Sequence, residues 1–358
     1  MKTHLRLLEL INLLQRVYWG FPHDPAGVSM PSLSQTLLAD LQARIKGTKL
    51  DDVADLIIGN AAECYSMEVA GADDYSVLGN TRFGGDPDLP NSFPWPCDGD
   101  PKSPGSTFSN FIAQVNFSEL PPLCAGPAVP KKGILYLFVR SMDGASNPVL
   151  LQALYFDGPT LKLRRTPPPD EDRLCDEYLV DLAPQRIKAT PSVSLPFYQK
   201  EFRTTVEKNG NNPWYELASG LERKGQIGQM LGYANAGDIR ENLYRQVFLG
   251  RIDRRSLMYN DYWNSMEEYE AYIRSYRDRG DNALVKSYEL MRAGVTWLVD
   301  NRDMISRGAA EWRLLLRIDS NSQMNLNIND ADPLYVFIRE KDLAKGEFSD
   351  LAGEVTQG

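Results

Sequence analysis

Histidine is nearly absent, with only His4 and His23 in 358 residues. A Ser-His-Asp or Cys-His nucleophile system therefore has no base to draw on beyond the first stretch of the chain. Cysteine is sparse as well. Cys64, Cys97, Cys124 and Cys175 lie 33, 27 and 51 residues apart and form no CxxC pair, which leaves zinc and dithiol redox chemistry without ligand spacing. Four scattered cysteines in a long chain read as free thiols of a reducing compartment, so a cytoplasmic location is expected. No GxSxG, Walker A loop or GxGxxG occurs, and no apolar run reaches the ~18 residues of a membrane-spanning helix. No cofactor, metal or membrane partner is expected.

What is present is an acidic, globular composition. Asp and Glu number 48 against 39 Lys and Arg, a net charge of -9, which disfavours direct nucleic-acid binding and favours cationic partners. The first twenty residues place Leu7, Leu8, Ile11, Leu14 and Tyr18 at helical spacing, with Arg6, Glu9 and Arg16 breaking any signal-peptide core. Residues 1–77 are expected as a helical N-terminal region, "TKLDDVADLIIGNAAECYSMEVAG" included. From Gly84 the texture turns to proline-punctuated strands, clearest in "FIAQVNF" (111–117) and "GILYLFV" (133–139), and "VLLQALYFDG" with "LKLRR" reads as a further strand pair.

Past residue 200 the outline recurs. "IGQMLGY" stands where "TRFGGDP" stood, "WRLLLRID" answers "NFIAQVNF", and "PLYVFIR" answers "GILYLFV". Two copies of one β unit, about 78–165 and 200–352, are the simplest account. The fold class expected is α+β: a duplicated, mainly antiparallel β domain with a helical N-terminal region and a helical insertion (243–310) in the second half.

The blocks "RFGGDPDLPNSFPWP", "FIAQVNFSELP", "GILYLFV", "LGYANAGDIREN" and "LLLRIDSNSQMNLNINDADPLYVFIREKDLAKGEFSD" occur in that order, and residues 78–352 resemble the DUF1963 or YwqG-like family. The late block departs from a D-x-x-x-x-M-x-W-x-D-x-G pattern, because no Trp or Gly follows Met324 at those places. The resemblance implies a sheet-rich mixed fold without an established general activity. It also implies an association with toxin and secretion genes as immunity proteins.

Candidate residues fall in three groups. Asp86 and Asp88, two apart in the proline-rich loop, could share a proton or a cation, but solvated turn carboxylates are the plainer expectation. "DSNSQMNLNINDAD" lacks the EF-hand Gly and Glu and reads as a polar hairpin turn. Gln114 and Asn116 are expected on one face of their strand, opposite Phe111, Ala113, Val115 and Phe117. Arg317 and Asp319 sit at the comparable place of the second copy, and the four would line a cleft between the halves. Within the insertion, Tyr259, Asp261, Tyr262 and Trp263 precede Glu267, Glu268 and Glu270, and Ser265 with Glu268 forms a capping box. Aromatic anchors beside carboxylates suit a basic protein partner, against the plainer expectation that they pack a helix onto its own domain. The leading expectation is a non-catalytic immunity protein masking a basic toxin such as a nuclease. The alternative is a small-molecule or enzymatic module using the cleft.

Overall fold

The computed structural model describes residues 33–141, 149–176, 179–197, 213–234, 266–301, 304, 307–308, 311–328 and 331–355. The expected first helix, both histidines, most of the insertion's opening and Tyr259, Asp261, Tyr262, Trp263 and Ser265 lie outside the described residues.

Helix α1 (Gln35–Ile45) starts at Ser34, whose hydroxyl accepts the Leu37 N–H, as an N-cap serine does. A short helix α2 (Ala54–Gly59) follows. The helical region does not extend to residue 77, because Ala62–Ala72 is an eleven-residue strand, β1. Residues Glu63 to Met67 are all buried. A strand covered on both faces loses the period-two alternation that identifies strands, and its Ala, Glu and Met content then mimics a helix.

The remaining strands are β2 (Arg82–Phe83), β3 (Asp88–Pro90), β4 (Asn110–Asn116), β5 (Ile134–Ser141), β6 (Leu150–Phe156), β7 (Leu163–Arg165), β8 (Gln185–Ser194), β9 (Gln226–Met230), β10 (Trp312–Ile318), β11 (Leu334–Arg339) and β12 (Leu351–Val355). Nine of them and β1 form one ten-stranded antiparallel sheet in the order β12-β11-β10-β9-β1-β8-β2-β4-β5-β6. The "LKLRR" strand does not pair with β6 as expected; β7 pairs with β3 in a separate two-stranded sheet, Leu89 opposite Arg164. Sequence adjacency suggested the first pairing, but β6 already has β5 on its inner edge.

The sheet curls until its two outermost strands approach each other, with a bridge between Val149 and Gly353. Glycine is required there, since a Cβ on Gly353 would lie 2.8 Å from the Val149 side chain and 2.9 Å from Leu151. This near closure leaves little unpaired edge. Alternation assigns the two faces. Leu135, Leu137 and Val139 point into the barrel with Phe83, Ile112, Leu316 and Val336, while Tyr136 and Phe138 point outward to Trp95, Phe108 and Phe111. The β10–β11 connection is more than a polar turn, because Met324, Leu326 and Ile328 enter the interior core.

Phe111 lies on the outer face, not opposite Gln114. The register between β4 and β5 skips a residue between Phe111 and Ala113, and such a bulge switches the face of everything before it. Outside the barrel, α1, α2 and α3 (Pro213–Leu221) cover Val193 and Leu195 of the β8 end. Helices α4 (Met266–Asp278) and α5 (Asn282–Asp300) stand between β9 and β10 in the chain. They pack on each other through Tyr269, Tyr272 and Tyr276 against Tyr288.

Candidate functional site

The proline-rich loop after β2 ends in a buried charge network. Consecutive left-handed residues, Gly84 at φ 72° and Gly85 at φ 65°, turn the chain back over the outer face of the barrel, a conformation open to glycine. There is also no room for side chains: a Cβ on Gly84 would be 2.6 Å from the Ala183 carbonyl oxygen. The turn delivers Asp88, fully buried, to the equally buried Arg82.

Asp88 is the hub. Its Oδ2 accepts from Arg82 Nη2 at 2.8 Å, the Gly79 N–H at 2.8 Å and Gln114 Nε2 at 2.9 Å. Its Oδ1 accepts from Arg165 Nε at 2.7 Å. The Asp88 N–H donates to Gln114 Oε1 at 2.8 Å, and its carbonyl accepts the Tyr136 hydroxyl at 2.6 Å. Burial pushes the Asp88 carboxyl up, but Arg82, the Gly79 N–H, Gln114 and Arg165 outweigh it and hold the carboxyl below the ordinary range,.

A second carboxylate completes the pairing of Arg82. Asp73 Oδ2 accepts from Arg82 Nη1 at 3.3 Å and from Asn80 Nδ2 at 2.7 Å, while its Oδ1 accepts the Tyr75 N–H at 2.7 Å. Tyr75 is left-handed at φ 63°, and its ring covers the Arg165 guanidinium at 3.7 Å. Its hydroxyl accepts the Asp86 N–H at 3.1 Å. Asp86 itself is half-buried, and desolvation raises its carboxyl despite Arg165 and Arg82. The two aspartates are therefore pushed in opposite directions, one locked ionised and one discouraged from ionising. Among the described residues no group of three or more His, Cys, Asp or Glu side chains is placed to hold a metal ion.

Gln114 and Asn116 belong to this network. Gln114 spans Asp88 and the Asn80 carbonyl, and Asn116 Nδ2 donates to the Gly79 carbonyl at 2.7 Å. Arg317 and Asp319 instead pair with each other, Nε to Oδ1 at 2.7 Å and Nη2 to Oδ2 at 3.0 Å. Burial lowers the Arg317 proton affinity, but Asp319 more than restores it. Four strands separate β4 from β10 in the sheet, about 24 Å at the usual strand spacing. The four residues form two separate clusters on different parts of the outer face and do not line one cleft, and the first leaves Arg82 Nε, both Nη atoms of Arg165 and Asn80 Oδ1 buried without a hydrogen-bond partner.

In the helical hairpin, Glu267 and Glu268 are exposed in the first turn of α4, where carboxylates complement the helix dipole. Glu270 is not displayed freely, because Arg292 of α5 pairs with it. Tyr269 is buried while Tyr272 remains 41% exposed. Arg82, Asp73, Tyr75 and Arg165 were not singled out from sequence. Only "RFGGDPD", an arginine beside a glycine pair and two aspartates, carried a local signal.

Among the described residues no helix is long and apolar enough to cross a membrane. No curated protein matches the chain. A family model does match, the domain of unknown function DUF1963, over residues 81–354. That span runs from the arginine of the buried network to the strand that closes the barrel, and the chain belongs to the DUF1963 family.

Proposed function

We propose that the protein is a non-catalytic, cytoplasmic immunity-type binder that masks a basic protein toxin, nucleases included. The observation that carries this reading is the α4–α5 hairpin. Its first turn exposes Glu267 and Glu268, and elsewhere on the same hairpin Tyr272 and Leu290 stand 41% and 47% exposed. Carboxylates next to partly exposed aromatic and aliphatic groups suit a cationic partner, with charge steering the encounter and apolar contact slowing escape. The buried network supports a scaffold role for the proline-rich loop, because the Asp88 carboxylate and the Gln114 amide are bonded to groups of the fold itself. Four free cysteines are compatible with a reducing cytoplasm,.

The test is binding to the purified product of a neighbouring toxin gene, followed by calorimetry at low and high salt. We expect association that weakens with salt, that slows when Glu267 and Glu268 are changed together to Lys, and that dissociates faster for Trp263→Ala. Undiminished binding by both variants would move the partner surface elsewhere.

The finer architecture we propose is an internal duplication, β2-β4-β5-β6 against β9-β10-β11-β12. Three features support it. The skipped residue between Phe111 and Ala113 has a counterpart between Leu314 and Leu316. Arg82 faces Gln114 as Gln229 faces Arg317. The left-handed pair Gly84–Gly85 has a counterpart in Leu231–Gly232. Superposition of the two strand sets in an experimental structure tests it, with Tyr136 expected on Tyr335 and Phe138 on Phe337.

A further inference from the structure

The buried network holds more hydrogen-bond donors than its own acceptors answer. Arg165 gives its Nε–H to Asp88 Oδ1 at 2.7 Å, which fixes the guanidinium, and the Tyr75 ring covers one of its faces at 3.7 Å. Nη1 and Nη2 of the same group are buried and have no hydrogen-bond partner. Among the described residues seven buried side-chain polar atoms are unpartnered, and four of them, these two with Arg82 Nε and Asn80 Oδ1, belong to this one network. Such atoms are rare in folded proteins and each is costly, so a concentration of them marks a place that receives a polar group from outside.

The chemistry of this edge selects the occupant. Paired terminal nitrogens of a fixed guanidinium match the two oxygens of a carboxylate. The nearest carboxylate of the chain does not take the position: Asp86 stands close by, its carboxyl raised by burial in spite of Arg165 and Arg82, and it makes no hydrogen bond or ion pair with either. Charge disfavours a phosphate dianion. Arg82 and Arg165 are already matched by Asp73 and Asp88, so a second negative charge on the ligand would stand uncompensated beside Asp86. Size is limited as well. Arg165 alone of the Arg82–Asp88–Arg165 chain reaches solvent, at 19% exposure against none for the other two, and Tyr75 lies so close to the glycine turn that a Cβ on Gly85 would be 2.2 Å from its hydroxyl.

We propose that the Nη edge of Arg165 is a binding site for a small monocarboxylate, held end-on by both terminal nitrogens beside the Tyr75 ring. It uses no residue of the α4–α5 hairpin, so it stands or falls apart from the toxin-masking reading. Saturation-transfer NMR on the full chain with acetate, at pH 7 and at an ionic strength kept constant with chloride, tests it. The expected result is saturable transfer to the acetate methyl group, with a dissociation constant of about 1–10 mM for so few heavy atoms, and displacement by formate. Asp86→Asn removes a neighbouring negative charge while keeping the backbone N–H that the Tyr75 hydroxyl accepts, and should tighten binding at least about threefold. Arg165→Lys keeps the charge without the fork and should weaken it at least about tenfold, with circular dichroism checking the fold. Absence of saturable transfer in both the wild type and Asp86→Asn overturns the proposal, as does undiminished transfer in a folded Arg165→Lys chain. Were Arg165→Lys not to fold, equal affinities of the wild type and Asp86→Asn would overturn it instead. Phosphate displacing acetate more readily than formate does would overturn it in favour of a phosphate ligand.

Discussion

Asp86 and Asp88 sit two residues apart and respond to pH in opposite senses. The Asp88 carboxyl is depressed in the fold, so its stabilising contribution is complete above the ordinary aspartate value of about 3.9 and is lost as pH falls through the lower folded value. Asp88→Asn leaves Arg82 and Arg165 without their shared anion, and a loss of about 3–5 kcal/mol at pH 7 is expected by urea unfolding. The difference from the wild type should shrink in acid. Asp86 is raised by burial. Its charge therefore opposes folding, and the stability it allows when protonated is lost as pH rises through the folded value. Asp86→Asn is expected to raise the melting temperature at pH 7, with the gain fading toward acid; a lower melting temperature would show that the carboxylate has a partner in solution.

At the scale of elements, the α4–α5 hairpin separates packing from display. Tyr269 is 1% exposed, so Tyr269→Ala should cost about 3 kcal/mol and accelerate hydrogen exchange across 266–300 first. Glu267 and Glu268 changed to Lys should lose the helix-dipole attraction of the first turn, about 1–2 kcal/mol together, still less than the Tyr269→Ala loss. The strands containing "IAQV", "ILYLFV", "RLLLRI" and "LYVFIR" were legible because each is a short, mainly apolar run set between turn signals,. β1 was not, since burial on both faces erased its period. The partner of β7 was hidden for another reason: which edge a short strand joins depends on what the rest of the sheet leaves open. The buried network was legible only at its loop. Asp73 and Tyr75 join the network only through Arg82 and Arg165, and the Arg165–Asp88 pairing across 77 residues leaves no spacing in the sequence.

At the scale of the whole molecule, the two outermost strands nearly meet and the two central ones cross the halves. β9 and its successors are completed by β1 from the start of the chain, while β8 completes the side containing β2. A chain broken after residue 197 should therefore yield two pieces that melt without cooperativity alone and recover one transition when co-expressed; independent folding of either piece would show that the exchange is dispensable.

That same β1–β9 pairing sets a schedule for synthesis. The segment Ala62–Ala72 leaves the ribosome more than 150 residues before Gln226–Met230 exists. At the usual pace of translation this is a wait on the order of ten seconds or more. Through that interval one side of β1 offers unpaired backbone to whatever is nearby, so the nascent chain should depend on holding factors that the finished, nearly edgeless barrel no longer needs.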